Sequence, residues 1–178
     1  MEDLMNKAIK LQAAIRDIPD FPKPGIVFKD ITPILGDPKL FRMAIELFTD
    51  QHKSGKIDKV AAIDARGFLF AGAICDRLDV GLVPIRKKGK LPYKTYEATY
   101  DLEYGSATLT IHEDAFKKGD RVVLIDDLLA TGGTAEASAR LIEQAGGIVQ
   151  SIDFLIELAF LNGRSKLSRY EVFAPIVF

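Results

Sequence analysis

The chain begins with a helical pattern of apolar positions and then changes to a proline-rich stretch. Apolar side chains recur every three to four residues at Leu4, Ala8, Leu11 and Ile15. This spacing predicts an amphipathic helix that ends before Pro19. Prolines from residue 22 onward predict an irregular segment to about Pro33, because proline cannot continue a helix. A second helix is predicted from Asp37-Pro38, where a capping aspartate precedes a proline at the first helical position.

From residue 59 onward, short apolar runs alternate with helical stretches. The runs predict strands at 60–63, 81–85, 122–125 and 148–156, and the stretches predict helices near 68–77 and 134–144. The run at 122–125 carries no charge, which is typical of a strand that is buried on both faces of a parallel sheet. The alternation therefore predicts an α/β fold with a mostly parallel central sheet flanked by helices.

Residues 92–111 interrupt this alternation with a polar and aromatic pattern. Tyrosines stand at positions 93, 96, 100 and 104, and apolar and polar residues alternate after them. The pattern predicts a long hairpin-like excursion. In a compact α/β domain such a segment is usually either a lid or disordered.

Composition narrows the classes of protein to be considered. The 178 residues, 48% of them hydrophobic, suit one globular domain, and a net charge of −1 argues against a dedicated nucleic-acid binder. Uncharged runs reach only nine residues, short of the roughly 18 that a membrane span needs, and the first residues are acidic where a secretory signal would be basic. We therefore expect a soluble, cytoplasmic protein without a membrane partner.

The cysteine and histidine content argues against metal chemistry. Cys75 is the one cysteine, so no intrachain disulfide can form, and the two histidines are far from it in sequence. A zinc site is not expected. Cys75, His52 and His112 have no supporting motif, and we interpret all three as structural.

The strongest functional signal is a strand that runs into two acids and a glycine turn. Asp126 and Asp127 follow the apolar run, and the turn at 130–134 leads into a helix. Ligands collect at the carboxyl ends of strands in open α/β sheets. Glycines let the backbone approach a phosphate, a helix N-terminus favours an anion, and the hydroxyls of Thr131 and Thr134 add donors. The two carboxylates fit such a site if they accept hydrogen bonds from sugar hydroxyls or act through Mg²⁺.

Other interpretations of this segment can be compared with the sequence. Neither a G-x-x-x-x-G-K followed by Ser or Thr nor a G-x-G-x-x-G occurs, which argues against P-loop and Rossmann dinucleotide chemistry. The plain alternative is a buried strand that ends in solvated acids and a structural turn.

This strand, acid pair and T-G-G-T turn resemble the phosphoribosyl pyrophosphate (PRPP) motif of the type I phosphoribosyltransferases. Segments at 21–33, 65–70, 85–92 and 102–105 narrow the resemblance to the adenine-specific branch of that family, and together they cover essentially the whole chain. The resemblance implies the type I phosphoribosyltransferase fold in a single domain, with an N-terminal hood at about 1–34, a core at about 35–178 and a flexible lid at about 93–111. It also implies Mg²⁺ as cofactor and a homodimer.

The resemblance implies which residues hold PRPP. The acids would contact the ribose hydroxyls and the turn would hold the 5′-phosphate, which assigns Asp126, Asp127, Ala130, Thr131, Gly132, Gly133 and Thr134. The pyrophosphate would be held by Ala65, Arg66, Arg86 and Lys87. A cis peptide is expected near Asp64-Ala65, and Mg²⁺ would be held through PRPP, pyrophosphate and water rather than directly by the protein. On the alternative interpretation, Arg66 only pairs with Asp64 at the surface and the basic run at 86–90 is a solvated face.

The resemblance also implies a base site and catalytic residues. The adenine-binding residues would be Val27, Phe28 and Lys29. Val27 would make main-chain contacts with the base, and Phe28 would stack on it. Lys29 stands where many relatives have arginine, so its role is left open. The catalytic residues would be Glu103, which accepts or stabilises the proton of the base, Tyr104, which covers the reacting groups, and Arg66. The alternatives are core packing for Phe28 and an ordinary exposed acid for Glu103.

The implied reaction joins adenine to PRPP and gives AMP and pyrophosphate, with inversion at the anomeric carbon. Two other functions remain. One is an enzyme of the same fold that acts on hypoxanthine, guanine or xanthine. The other is a regulatory module that kept the fold and lost catalysis, although such a protein usually adds a DNA-binding domain, for which 178 residues leave no room.

Overall fold

The computed structural model describes residues 2–53, 55–101 and 106–178. Five helices and ten strands occur within these ranges. In chain order they are α1 Glu2–Ala14, β1 Arg16–Pro19, β2 Val27–Asp30, α2 Thr32–Gly36, α3 Pro38–His52, β3 Lys59–Ile63, α4 Arg66–Leu78, β4 Gly81–Lys87, β5 Thr95–Asp101, β6 Ser106–His112, β7 Arg121–Leu129, α5 Gly133–Gln144, β8 Ile148–Glu157, β9 Val172–Phe173 and β10 Ile176–Val177. Two short 3₁₀ helices, Ala159–Leu161 and Gly163–Leu167, follow β8.

The central sheet is mostly parallel, as predicted. Its strand order is β10-β8-β7-β3-β4-β6-β5, and β9 also pairs with β8. Strand β3 is parallel to β4 on one side and to β7 on the other, whereas the hairpin β5–β6 joins the edge through an antiparallel pairing of β6 with β4. After β3 the chain thus continues to β4 on one side of that strand, and later returns with β7 on its other side. In doubly wound sheets this switch point opens the crevice that binds ligands.

Two buried clusters cover the two faces of the sheet. Helices α3 and α4 pack one face around Phe48 and Phe70, and α5 packs the other face around Leu141 and Ile142. All four residues from Val122 to Ile125 are completely buried. The uncharged run therefore forms a strand covered on both faces, as its sequence predicts.

The N-terminal segment is more ordered than its prolines suggest. Instead of an irregular stretch to Pro33, β1 and β2 pair antiparallel in a separate two-stranded sheet, and α2 already begins at Thr32. Pro19 ends β1, Pro22 and Pro24 lie in its connection to β2, and Pro33 lies in the first turn of α2, where proline is tolerated. The backbone N–H of Gly25 donates to Asp20 Oδ1 at 2.8 Å and closes that connection.

The remaining elements confirm the predicted helices and strands with small changes at their ends. Asp37 caps α3 by accepting from the backbone N–H groups of Lys39, at 2.7 Å, and Leu40, at 3.0 Å. Cys75 is buried in α4, and desolvation raises the pKa of its thiol to about 11, which agrees with a structural cysteine. Among the described residues, no helix combines the length and apolar character needed to cross a membrane.

Candidate functional site

The loop after β3 and the end of β7 meet at the switch point. The Asp64–Ala65 peptide is cis, as expected from the sequence, and α4 begins directly after it at Arg66. Gly67 packs against β7 so closely that a Cβ there would lie 2.8 Å from the carbonyl oxygen of Ile125 and 3.2 Å from Asp126 Oδ1. Only glycine lets the first turn of α4 approach the acids this closely.

The two acids lie within β7, not after it as the sequence predicted, because the strand continues to Leu129. Asp126 lines a cavity of about 70 Å³ together with the turn at 130–134, and its Oδ1 accepts from the backbone N–H of Asp127 at 2.9 Å. Asp127 is only 3% exposed, and its Oδ2 lies 3.0 Å from Arg66 Nε. One acid thus faces the turn and the other faces the loop after β3.

Both acids are held in an environment that disfavours their charge. Burial raises the pKa of Asp126 well above its usual value, and the adjacent charge of Asp127 raises it further. Burial also raises the pKa of Asp127, although the Arg66 guanidinium opposes this. The 3.0 Å contact lacks the alignment of a hydrogen bond, so Asp127 Oδ2 is a buried acceptor without a hydrogen-bond partner among the described residues. A ligand that brings hydroxyl donors or a cation would stabilise the ionised pair.

The turn after β7 leads into a helix whose N-terminus has no side-chain cap. Gly132 caps α5 with a φ of +80°, and the first turn receives no side-chain hydrogen bond. The unpaired N–H groups of such a helix start, together with its dipole, suit an anion. The residues assigned to the 5′-phosphate, Ala130, Thr131, Gly132, Gly133 and Thr134, surround this position.

Gly163 is a supporting residue that the sequence analysis missed. A Cβ on Gly132 would collide with the carbonyl oxygen of Gly163, and a Cβ on Gly163 would collide with the carbonyl oxygen of Ala130. The two backbones therefore hold the turn in place by direct contact. The sequence does indicate a turn here, because Asn162-Gly163 is a turn dipeptide that follows β8, the strand next to β7.

Arg86 ties the end of β4 to the loop after β3. Its Nε donates to Asp64 Oδ2 at 2.7 Å and its Nη1 donates to the carbonyl oxygen of Lys90 at 3.2 Å. Asp64 is thus paired with Arg86, and Arg66 pairs with Asp127 instead. The alternative in which Arg66 only pairs with Asp64 is wrong. Lys87 is exposed at the end of the same strand.

Phe28 on β2 faces the Arg66 side of the site. The Arg66 guanidinium lies 5.4 Å from the centre of the Phe28 ring, and the ring of Phe21 meets Phe28 edge-on at 5.2 Å. Phe28 is half-buried and belongs to neither core cluster, so core packing does not account for it. The neighbouring Val27 is 48% exposed. Arg66 therefore contacts both the acid pair and the aromatic residue of the N-terminal sheet.

The remaining assigned residues are Lys29, Glu103 and Tyr104. The Lys29 ammonium lies 2.7 Å from Asp17 Oδ1 and 3.9 Å from the centre of the Phe178 ring, and the side chain is 12% exposed. These two partners engage its charge. Glu103 and Tyr104 lie outside the described residues.

Comparisons with known proteins agree on one family. The model of the phosphoribosyl transferase domain matches residues 32–161. An adenine phosphoribosyltransferase of Methylacidiphilum infernorum is 52% identical over 169 residues, which cover 95% of this chain and 94% of that protein. The crystal structure of adenine phosphoribosyltransferase from Thermoanaerobacter pseudethanolicus superimposes with a TM-score of 0.93 at 54% identity, covering 96% of this chain and 99% of that one. The Saccharomyces cerevisiae enzyme, crystallised with adenine and an imino-altritol bisphosphate, gives a TM-score of 0.92 at 40% identity, with coverage of 96% and 99%.

The close contact at Gly67 gives a prediction with a matched control. Gly67→Ala forces α4 away from β7 and should lower the free energy of unfolding by about 1–3 kcal/mol. Gly72 lies on the same helix with open space around its Cβ position, so Gly72→Ala should be neutral or raise stability by up to ~1 kcal/mol. Urea unfolding of both variants is the measurement, and equal midpoints would show that the contact does not constrain the helix.

Proposed function

The chain belongs to the phosphoribosyl transferase domain family and, within it, to the adenine phosphoribosyltransferases, and from this we propose that it serves purine salvage by transferring the 5-phosphoribosyl group of PRPP to N9 of adenine. The products would be AMP and pyrophosphate. The observation that carries the proposal is the position of Arg66, between the buried acid pair and the Phe28 ring. Substrates that occupy these two contacts side by side would be an anionic ribose phosphate, at the acid pair, and a flat base, at Phe28.

PRPP would bind at the carboxyl ends of β3 and β7. Its 5′-phosphate would lie in the turn at 130–134, at the uncapped start of α5, and its ribose hydroxyls would donate to Asp126 and Asp127. The pyrophosphate would bind along the loop after β3, with contacts to Ala65, Arg66 and Lys87. Arg86 would act by holding that loop through Asp64 and could add a direct contact through its guanidinium.

Adenine would stack on Phe28. An aromatic pair of this kind contributes about 1 kcal/mol beyond the area that it buries. Main-chain contacts from Val27 would distinguish a 6-amino from a 6-oxo purine, because the donor and acceptor positions of the two bases are exchanged. Lys29 would take part through its backbone, since its ammonium is engaged by Asp17 and Phe178.

In the proposed reaction the bond from the anomeric carbon to pyrophosphate breaks and a bond from N9 to that carbon forms. N9 attacks the face opposite to the leaving group, so the configuration inverts, and the proton of the base passes to Glu103 or is stabilised by it. Tyr104 and the hairpin at about 93–111 would cover the reacting groups and keep water from PRPP. Positioning and electrostatics would supply most of the rate, because the chemistry needs little from the protein itself.

Magnesium would enter with the substrate. No group of three or more potential ligand side chains occurs within residues 2–53, 55–101 and 106–178, so the described chain offers no closed metal cage. The acid pair, with its unpaired Asp127 Oδ2, fits an ion that needs one or two carboxylates or their bound waters besides phosphate oxygens. When bound, Mg²⁺ neutralises negative charge on the leaving pyrophosphate.

We further propose a cytoplasmic homodimer without nucleic-acid or membrane partners. The near-neutral net charge argues against a nucleic-acid partner. The family resemblance supports the assembly and the location.

A panel of four bases tests the proposed function. Adenine, hypoxanthine, guanine and xanthine are each incubated with PRPP and Mg²⁺, and nucleotide and pyrophosphate are followed. We expect AMP from adenine and no product from the three oxopurines. Turnover of an oxopurine would overturn the base assignment and keep the PRPP site, whereas PRPP binding without turnover of any base would favour the regulatory module.

Glu103→Gln tests the proton-accepting role. If Glu103 takes the proton of the base, kcat should fall by about a hundredfold or more while the dissociation constant for PRPP stays within about twofold. Glu113→Gln, at an exposed acid after β6, is the control and should turn over normally. Normal turnover by Glu103→Gln would remove Glu103 from the mechanism.

The raised pKa of Asp126 predicts how PRPP affinity depends on pH. Because burial raises this pKa, the free carboxyl takes up a proton at a higher pH than an ordinary aspartate, and PRPP affinity should fall as the pH drops through the raised value. Calorimetric titrations across acid and neutral pH measure this. Asp126→Asn should weaken binding about 10–100-fold at neutral pH and reduce the pH dependence to that of Asp127 and the phosphates. An unchanged affinity would contradict the ribose assignment.

Phe28→Ala separates stacking from packing. Loss of the stacked ring should raise KM for adenine about fivefold and leave KM for PRPP unchanged. Phe160→Ala is the control, because Phe160 is 73% exposed on the short helix after β8. If Phe28→Ala lowers only the thermal stability, the ring serves packing alone.

A further inference from the structure

A second polar cavity lies apart from the residues assigned to PRPP and adenine. Its volume is about 170 Å³, and it opens between the C-terminus of α3, residues 55–57 and the strands β8 and β9. The lining residues that matter here are His52, Lys56, Ile57, Ser151, Asp153 and Phe173. The sequence analysis treated His52 as structural and assigned no role to this region.

Two buried polar atoms in the lining have no partner within the described chain. Asp153 is completely buried; its Oδ2 lies 2.6 Å from His52 Nε2, whereas its Oδ1 makes no hydrogen bond. Ser151 is 6% exposed, and its Oγ is also without a partner. Because the two residues are two positions apart on β8, both side chains lie on the same face of the sheet, toward the cavity. An unpaired buried carboxylate oxygen is costly, so these atoms favour a ligand that satisfies them.

The lining also specifies the charge and shape of such a ligand. A carboxylate only accepts hydrogen bonds, so the ligand must supply N–H or O–H donors. Asp153 and Glu171 carry the negative charges of the lining, Lys56 carries its one fixed positive charge, and His52 adds another only when it is protonated. Ile57 and the Phe173 ring provide apolar surface suited to a flat group.

We propose that this cavity binds a small, flat organic cation of the amidine or amino-heterocycle class. One N–H group donates to Asp153 Oδ1 and another to Ser151 Oγ, while the flat part of the ligand packs on Phe173. Ser151 Oγ makes no hydrogen bond to His52 within the described chain, so the site lacks an activated nucleophile and is a binding site rather than a second catalytic centre. None of these residues belongs to the proposed catalytic machinery, so the inference stands or fails separately from the proposed function.

The test titrates benzamidine into the full chain by calorimetry. A ligand of this size should bind with a dissociation constant on the order of 1 mM, and neutral benzamide, which has the same shape, should bind at least about tenfold more weakly. Asp153→Asn should weaken benzamidine about tenfold or more, while Asp114→Asn, at an exposed acid elsewhere on the chain, should leave the affinity unchanged.

Three results would overturn the inference: no saturable binding of benzamidine, equal binding of benzamidine and benzamide, or native affinity in Asp153→Asn. Absence of binding, or native affinity in Asp153→Asn, would indicate that ordered water alone satisfies Asp153 and Ser151. Equal binding of the two probes would show that the cavity does not select a cation. Circular dichroism establishes that the variants are folded. If Asp153→Asn does not fold, Ser151→Ala removes one of the two acceptors with a smaller change, and the comparison of the two probes in the unaltered chain decides the charge preference on its own.

Discussion

The site depends on the contact between Gly67 and the backbone of β7. This contact places the first turn of α4 directly against Ile125 and Asp126, at a distance that no side chain would allow. As a result, Arg66, one residue earlier, reaches Asp127, and the loop after β3 lies beside the acid pair. A second close approach, between Gly132 and Gly163, fixes the turn at 130–134 on the other side of the same acids. Two backbone contacts thus hold the parts of the site in register.

The electrostatics of the site follow from this close packing. Crowding buries two adjacent carboxyl groups, which raises the pKa of both and leaves one oxygen of Asp127 without a hydrogen bond among the described residues. The arrangement is unfavourable for the free chain and favourable for a complex in which hydroxyl groups or a cation complete the pair. Burial of the two carboxyl groups therefore costs free energy in the free chain, and binding of a ligand can recover part of that cost. Such unfavourable arrangements of charged groups are common at functional sites.

The sequence was sufficient for features that depend on local pattern. Helical periodicity predicted α1 and α3, and short apolar runs predicted the buried strands, because each of these signals lies within one short segment of the sequence. The strands β1 and β2 were missed, because they are four residues long and surrounded by prolines, and their order comes from pairing with each other. Gly163 was missed for a related reason. Its importance arises from contact with Gly132, 31 positions away, and the Asn162-Gly163 dipeptide signals a turn but not that contact.

Side-chain partners were the least predictable part of the site. The resemblance assigned both Arg86 and Lys87 to the pyrophosphate, yet Arg86 is paired with Asp64 whereas Lys87 is exposed at the end of β4. Lys29 follows Phe28 directly, yet its charge is taken up by Asp17 and the Phe178 ring. A sequence shows which charges are present but not which partner each one finds, since the partner depends on the fold.

Arg66 shows how one side chain can serve both halves of the proposed substrate. Its contact with Asp127 is made through Nε, and its guanidinium plane lies near the Phe28 ring. Within the described part of the chain, neither terminal nitrogen of Arg66 is paired with a carboxylate. The two terminal nitrogens of a guanidinium form a fork whose spacing matches phosphate oxygens. Pyrophosphate can therefore bind the fork without first displacing Asp127. On the proposed function, the same side chain would lie against the ribose site through Asp127 and against the base site through Phe28, so that one residue would help to align PRPP with adenine.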